Sequence, residues 1–253
     1  MQARRLPARR GAFWLVAGFH LFRRNPPLLI ALTLTYLMLV QAAVRLLPGL
    51  GPFLLPLALP TMVLIVGNGA RIVEQGNRML PGGLFFGIKG NGVAMLRLGG
   101  LHLLGAFCFV GIVMLLEGGG MKLVDVEMVD DPELLWTLLR LLVLAMPFLL
   151  AFLFAPYLTG WDNVPAAKSL FFSFVAGVSN WRALGAYVLA ISAVSVALPG
   201  LVLVLAALLP DFAANAAQLA VRMLMVFVLA PVLTASIYVG YRDIFHPPMD
   251  EHA

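Results

Sequence analysis

Polar side chains that could do chemistry are few in this apolar chain. No aspartate or glutamate lies in the middle of a long apolar stretch, although carriers and pumps that move ions normally hold ionisable groups at membrane depth. The other candidates carry amide, imidazole, guanidinium or hydroxyl groups: Gln41, Asn68, His102, Arg222, Tyr36, Ser192, Ser195 and Ser236. A lone histidine such as His102 is more typical of a hydrogen-bonded packing residue than of a ligand or proton relay.

Motifs for catalysis and cofactor binding are absent from the sequence. It contains no G-x-S-x-G elbow, no H-E-x-x-H helix and no G-x-x-x-x-G-K-[ST] phosphate loop. The one cysteine, Cys108, excludes a disulfide framework within the chain. We therefore expect a protein that is not an enzyme, with no catalytic residue, no cofactor and no metal.

Cations beside the apolar stretches are the remaining candidates for a binding site, because guanidinium and ammonium groups pair with phosphate. The candidate headgroup-binding residues are Arg71, Arg97, Lys168, Arg182 and Arg242. The alternative is snorkelling and surface ion pairing. That alternative is supported by acidic residues that lie close in sequence to three of the cations: Glu74, Asp162 and Asp243.

Six apolar stretches must position these side chains. The chain is 62% hydrophobic and 11% charged, which is not the composition of a soluble domain. Each stretch is near or above the roughly 20 helical residues that a bilayer needs. The predicted spans are residues 28–47, 53–73, 92–116, 134–159, 181–209 and 213–241. The sequence therefore predicts an all-α polytopic membrane bundle of six transmembrane helices, with residues 1–253 as one membrane domain.

Basic residues are distributed unevenly between the two sides of this bundle. With the N-terminus in the cytoplasm, 13 of the 17 lysines and arginines lie on the inner side and 4 on the outer side. Such a bias predicts that both termini are cytoplasmic. Half of the twelve acidic residues then lie in one outward connection, residues 117–133, which we interpret as a solvated loop. The basic residues adjoin spans rather than forming a face with aromatics, so they predict contact with lipid and no nucleic acid.

An internal repeat is indicated by prolines in the even-numbered spans. The three are Pro60, Pro156 and Pro231, where a proline removes one backbone hydrogen bond and bends the helix. A cation follows each proline eleven or twelve residues later: Arg71, Lys168 and Arg242. We predict three bent even spans around a vestibule that faces the cytoplasm.

Short aromatic segments precede the odd-numbered spans and complete the predicted repeat unit. They start at Phe13, Leu84 and Leu170. In the third, apolar residues recur at helical spacing, with Lys168, Ser169 and Ser173 on the opposite side. These segments predict short amphipathic helices that lie along the inner membrane surface. Within the fifth span, alanines four or three residues apart predict close helix packing and a central position.

A family resemblance rests on the segment from Gly18 to Pro26, the long span that follows it and the turn at 47–52. With these features the chain resembles a family of uncharacterised proteobacterial six-span inner-membrane proteins. The repeat plan is more distantly similar to the membrane portion of some bacterial glycerophosphodiester phosphodiesterases. The resemblance implies a bacterial inner membrane and no assigned activity, because the catalytic barrel of those enzymes is missing here.

Three functions remain open after this comparison. We expect a non-catalytic scaffold or accessory subunit that binds membrane lipids, another membrane protein or a second copy of itself. The alternative is a transporter or lipid-handling permease that uses the vestibule. A membrane enzyme acting on headgroups would require Gln41, Asn68 and His102 to converge at one interface.

Overall fold

The computed structural model describes residues 3–76, 82–116 and 132–246, with side chains from 136 onward in the last range. Residues 117–131 of the predicted acidic connection lie outside this part of the chain. The described residues form helices and turns without strands, in the order α1 (Arg9–Arg24), α2 (Pro26–Leu46), α3 (Gly51–Glu74), a 3-10 turn (Gly83–Phe85), α4 (Ile88–Leu116), α5 (Pro132–Leu153), α6 (Ala155–Gly160), α7 (Ala166–Ser179), α8 (Trp181–Ser192), a π turn (Ala193–Ala197), α9 (Leu198–Ala206), α10 (Asp211–Leu224), a second π turn (Met225–Leu229) and α11 (Ala230–Phe245).

Six spans within the described ranges are long and apolar enough to cross a membrane. The predicted all-helical, six-span fold class is therefore confirmed, with boundaries that differ by a few residues. In order, the first to sixth spans are Pro26–Leu46, Gly51–Glu74, Ile88–Leu116, Trp136–Gly160, Trp181–Ala206 and Asp211–Phe245.

Buried side chains concentrate at one end of the bundle. The main core joins α1, the last turns of the second span, α6 and α11, and it includes Trp14, Leu64, Tyr157 and Tyr238. A backbone hydrogen bond of 3.0 Å from the N–H of Arg4 to the carbonyl of Ile244 brings both ends of the described chain there. We call this the charged end, since Arg10, Arg71, Arg242 and Asp243 also lie there.

The fifth span is peripheral, and the prediction that it is central was wrong. Only 6% of its apolar window is buried, against 39% for the second span and 44% for the sixth. Its packing against α1 uses Ala183 and Tyr187 near the charged end. Beyond them the small residues Ala193 and Ala197 are exposed. Small residues permit close packing but do not specify it.

The segments that lead into the odd spans follow a cyclic order. The 3-10 turn packs on the second span, α7 packs on the two parts of the fourth span, and α1 packs on the fifth and sixth spans. Each leading segment thus contacts the preceding unit, and the first unit's segment contacts the last unit. This is the order that three repeats around a common centre would produce. The middle segment, however, forms a 3-10 turn rather than the predicted amphipathic helix.

Helix α1 packs against protein on one face, whereas the sequence predicted a helix lying on the membrane surface. Trp14 is 1% exposed and packs in α1's contact with α8 and α11. Two glycines permit this approach: a Cβ on Gly11 would lie 1.8 Å from the carbonyl oxygen of Ala183, and one on Gly18 would lie 2.7 Å from the Cβ of Ser236. The opposite face, with Phe13, remains exposed.

Helix α7 presents its serines to the bundle and its apolar side outward. The sequence predicted that the serine side would face away from the membrane. Instead Ser173 is buried and inserts into the fourth span, where its Oγ donates to the carbonyl of Leu150 at 2.7 Å and accepts from the N–H of Phe154 at 3.0 Å. The Ser173 hydroxyl thus takes the place of the helical hydrogen bond from the N–H of Phe154 to the carbonyl of Leu150. Helix α5 therefore ends just before Phe154, and α6 begins just after it, beside Pro156.

The second span remains helical through its proline. Pro60 has no N–H and so leaves the carbonyl of Pro56, four residues earlier, without its helical donor. His102 of the third span lies 3.0 Å from that oxygen through Nδ1. A carbonyl can only accept, so Nδ1 carries the proton. In the sixth span a π turn directly precedes the helix in which Pro231 occupies the first turn.

Candidate ligand-binding cavity

A cavity of about 230 Å³ opens at the charged end, where the three even spans finish. Its titratable lining residues come from the second span, the turn after the fourth, and the end of the sixth: Arg71, Asp162, Arg242 and His246. Its aromatic lining residues are Phe86, Trp161, Tyr238 and Tyr241. The volume admits several water molecules and therefore a small polar group.

Arg71 is the cation of this cavity that lacks an acidic partner among the described residues. Its guanidinium carbon lies 4.6 Å from the ring centre of Phe86 and 5.4 Å from that of Trp161. Stacking of this kind stabilises a guanidinium on its faces. The N–H groups at its edge remain available to a ligand.

Arg242 has an acidic partner, but one of its N–H groups has no acceptor among the described residues. It forms an ion pair with Glu74, which also accepts a 2.5 Å hydrogen bond from the hydroxyl of Tyr238. The Nε of Arg242 is buried and has no hydrogen-bond partner in the described part of the chain. A buried donor without a partner costs free energy unless a ligand or water accepts from it.

Asp162 provides a carboxylate on the same cavity. It accepts from the hydroxyl of Tyr241, and its Oδ1 lies 3.0 Å from Nε2 of His246. Since a carboxylate accepts only, Nε2 is the protonated nitrogen of this imidazole. The neutral tautomer is sufficient for this bond and leaves the negative charge of Asp162 without a permanent cationic partner.

Asn68 holds the two rings that flank Arg71. Its side-chain amide, 1% exposed, donates to the carbonyls of Leu84 and Phe86 at 2.8 and 2.9 Å. Its oxygen accepts from the indole N–H of Trp161 at 2.8 Å. Trp161 also stacks on Tyr157, with ring centres 4.7 Å apart. Asn68 is therefore a positioning residue for the cavity wall.

A second polar cluster joins α1 to α11 beside the cavity. Asp243, 3% exposed, accepts from Arg10 at 2.8 and 2.5 Å and from the indole N–H of Trp14 at 2.8 Å. The hydrogen bond to Asp243 raises the pKa of Arg10 above its ordinary value, and partial burial opposes that rise. The cluster ties the N-terminal helix to the last span and does not line the cavity.

The five predicted headgroup-binding cations do not form one set. Arg71 and Arg242 lie in the same cavity. Arg97, Lys168 and Arg182 are exposed and do not line it. Arg182 stacks at 5.4 Å over the ring of its neighbour Trp181. Pro60, Pro156 and Pro231, predicted as kinks, are all buried in the even spans that end at the cavity.

The alternative interpretation was that these cations pair with acidic residues close to them in sequence. The structure gives those acidic residues other partners. Glu74 pairs with Arg242 and not with Arg71 one turn away, while Asp243 pairs with Arg10 and not with its neighbour Arg242. Asp162 contacts Tyr241 and His246 rather than Lys168. Tertiary contacts take each carboxylate away from its sequence neighbour.

Intramembrane polar residues do not converge at one site. His102 lies against Pro56, Phe148 and Phe152, whereas Asn68 lies at the cavity and Gln41 is exposed. These residues therefore do not form the cluster that a headgroup enzyme would need. Within the described residues, no group of three or more histidine, cysteine, aspartate or glutamate side chains is placed to hold a metal ion.

The aromatic wall and Asp162 were not identified from the sequence. One signal was present: Phe86, Trp161, Tyr238 and Tyr241 all follow the even spans or occupy their last turns. From aromatic clusters the sequence predicts only surface helices before the odd spans, and no cavity wall. The pairing of Arg242 with Glu74 spans 168 residues and left no local pattern.

The fold and the cavity together define a multi-pass helical membrane protein with a polar and aromatic pocket at one end. The chain is 32% identical, over 97% of its length and 94% of the other's, to a protein of Burkholderia thailandensis named "Probable inner membrane protein". It therefore belongs to the family of that inner-membrane protein. The expected membrane and inner-membrane character is thus supported.

No protein-family model and no solved structure matches the chain. The matches give no link to the glycerophosphodiester phosphodiesterases.

Proposed function

We propose that this inner-membrane protein is non-catalytic and binds a phosphate-bearing ligand, in the first place a lipid headgroup, in the cavity at the charged end. The observation that carries the proposal is Arg71, stacked between two rings without an acidic partner in the described chain. Arg242 lines the same cavity, but its positive charge is already paired with Glu74. Guanidinium groups suit phosphate because their donors match its oxygens in pairs.

The proposed site is on the cytoplasmic side of the membrane. This orientation rests on the excess of lysine and arginine at the charged end and the neighbouring connections. A lipid of the inner leaflet would reach the cavity from the bilayer. Exposed apolar side chains of the first and fifth spans would be covered by lipid tails, by another membrane protein or by a second copy. The protein would act as a scaffold or accessory subunit.

The test replaces Arg71→Ala in protein purified in mild detergent. We expect phospholipid binding, measured by native mass spectrometry, to weaken about tenfold, since a hydrogen bond to a charged group contributes roughly 1.5–3 kcal/mol. Arg182→Ala is the matched control, because Arg182 also stacks on an aromatic ring but lies outside the cavity. Equal binding by both variants and the unaltered protein would refute the proposal.

A lipid-handling permease is the second candidate function. The features that favour it are the interruption of the fourth span at Phe154 and the π turn Met225–Leu229 in the sixth, both in spans that end at the cavity. Such interruptions often mark helices that rearrange during function. Reconstituted vesicles should then move a labelled lipid between leaflets, and Arg71→Ala should slow that movement. Binding without movement would leave the scaffold function alone.

A further inference from the structure

The cavity carries two unlike charges that do not neutralise each other. Arg71 has no acidic partner among the described residues, and Asp162 has only hydroxyl and imidazole partners. The two residues do not form an ion pair, although both line a cavity of about 230 Å³. Two unlike charges held apart in a small cavity are complementary to a ligand with a positive and a negative group.

Aromatic rings contact both charged groups. The indole of Trp161 lies under Arg71, and its centre is 5.2 Å from that of the Tyr241 ring. Tyr241 also donates to Asp162. A ligand cation beside Asp162 would therefore lie close to the electron-rich faces of these two rings, which attract cations.

The free acceptor positions of Asp162 favour a primary ammonium over a quaternary one. An ionised carboxylate has about four acceptor positions. Asp162 uses one toward Tyr241 and one toward His246, so further positions remain. A primary ammonium can donate to them, whereas a quaternary ammonium has no N–H.

We propose that the cavity recognises a phosphate and a primary ammonium joined by a short linker, as in phosphoethanolamine. The proposal rests on the function proposed above and names the class of ligand. The phosphate contacts Arg71, and the ammonium contacts Asp162 between Trp161 and Tyr241. The same chemistry is available from the headgroup of phosphatidylethanolamine or from the free compound.

The experiment compares headgroups on the unaltered protein first. Native mass spectrometry in mild detergent should show tighter binding of phosphatidylethanolamine than of phosphatidylglycerol or phosphatidylcholine with the same acyl chains. Titration with free phosphoethanolamine, followed by thermal shift, forms a second arm. Binding in the lipid arm alone identifies a headgroup as the source, and binding in the second arm identifies the free compound as sufficient.

Substitution then separates the two charges. Asp162→Asn should reduce the preference for phosphatidylethanolamine about tenfold, the effect of one charge-assisted contact, and leave phosphatidylglycerol binding unchanged. Arg71→Ala should weaken all three lipids. Equal binding of the three lipids by the unaltered protein, with Arg71 still required, would overturn the zwitterion proposal and leave the phosphate site standing. Loss of the Arg71 effect would overturn both.

Discussion

At the scale of single residues, His102 supplies a donor to the backbone carbonyl that Pro60 leaves without its helical partner. His102 could be predicted as a packing residue from the sequence, because it is the sole histidine of the spans. Its partner could not be predicted, since the pairing requires the third span to lie against the second at one register. Pro56 lies 46 residues earlier in the chain.

His102→Phe should destabilise the protein by roughly 1–3 kcal/mol, because it leaves the partly buried carbonyl of Pro56 without a donor. Pro60→Ala restores an N–H at position 60 and thus supplies the helical bond to that carbonyl. The cost of His102→Phe should therefore be smaller in the Pro60→Ala background. Thermal unfolding in detergent of the unaltered protein, the two single variants and the double variant completes this double-mutant cycle. Equal costs in both backgrounds would contradict the assigned bond.

At the scale of elements, α1 shows how far periodicity can predict a helix. Its amphipathic pattern predicts the helix, but a pattern does not state whether lipid or protein covers the apolar face. The face holding Gly11, Trp14 and Gly18 is covered by α8 and α11. In α7, similarly, the serine side packs on the fourth span because its hydroxyls satisfy the interrupted backbone there.

Gly11→Ala should weaken the docking of α1, because the new Cβ would meet the carbonyl of Ala183 in the neighbouring helix. Overpacking of this kind costs roughly 1–3 kcal/mol. Gly185→Ala is the matched control: it lies in α8, and no atom lies within 4 Å of its added Cβ. Unfolding midpoints in detergent should fall for the first variant and stay level for the second. A reversed order would rule out the close approach.

The ion pair between α1 and α11 should hold across the physiological pH range. The pKa of Arg10 is raised in the folded protein, so the contribution of its charge to stability is complete below the ordinary pKa of arginine and is lost only above it. Titration of Arg10 therefore does not detach α1 from α11 near neutral pH.

At the scale of the whole molecule, the bundle has a densely packed half and a loosely packed half. The sixth span has 35 residues, which extend over roughly 52 Å, more than the roughly 30 Å of hydrocarbon. Its α11 part is buried by protein, whereas no residue of α10 is buried. We infer that α11 and its neighbours project beyond the lipid tails on the charged side. Pro231, predicted at mid-membrane, would then lie near the edge of the hydrocarbon.

Orientation at this scale can be tested by labelling. In a Cys108→Ser background, a cysteine placed by Arg5→Cys should react with a membrane-impermeant maleimide only after the inner membrane is opened, because the N-terminus is predicted to be cytoplasmic. A cysteine placed by Lys122→Cys, in the predicted outward connection, should react in intact spheroplasts. Labelling in the opposite pattern would invert the bundle and place the cavity outside the cell.

Hydropathy alone predicted the number of spans, because twenty apolar residues have few alternatives to a membrane helix. The proline positions predicted that the even spans surround a shared space, and all three end at the cavity. The sequence did not predict which cations line that space, because this depends on ion pairs between residues that are far apart in the chain. The sequence therefore located the spans better than the individual charges.

The contact of α1 with the sixth span has a consequence for biogenesis. Helix α1 is synthesised before the sixth span but packs on it, through Trp14 and Asp243. Until α11 has been synthesised, the indole N–H of Trp14 lacks its carboxylate partner and Gly18 remains undocked. A chain that stops before the sixth span can insert the first five spans but cannot form this contact. Such a product should be recognised by membrane proteases, because the packing of α1 is completed only when α11 is present.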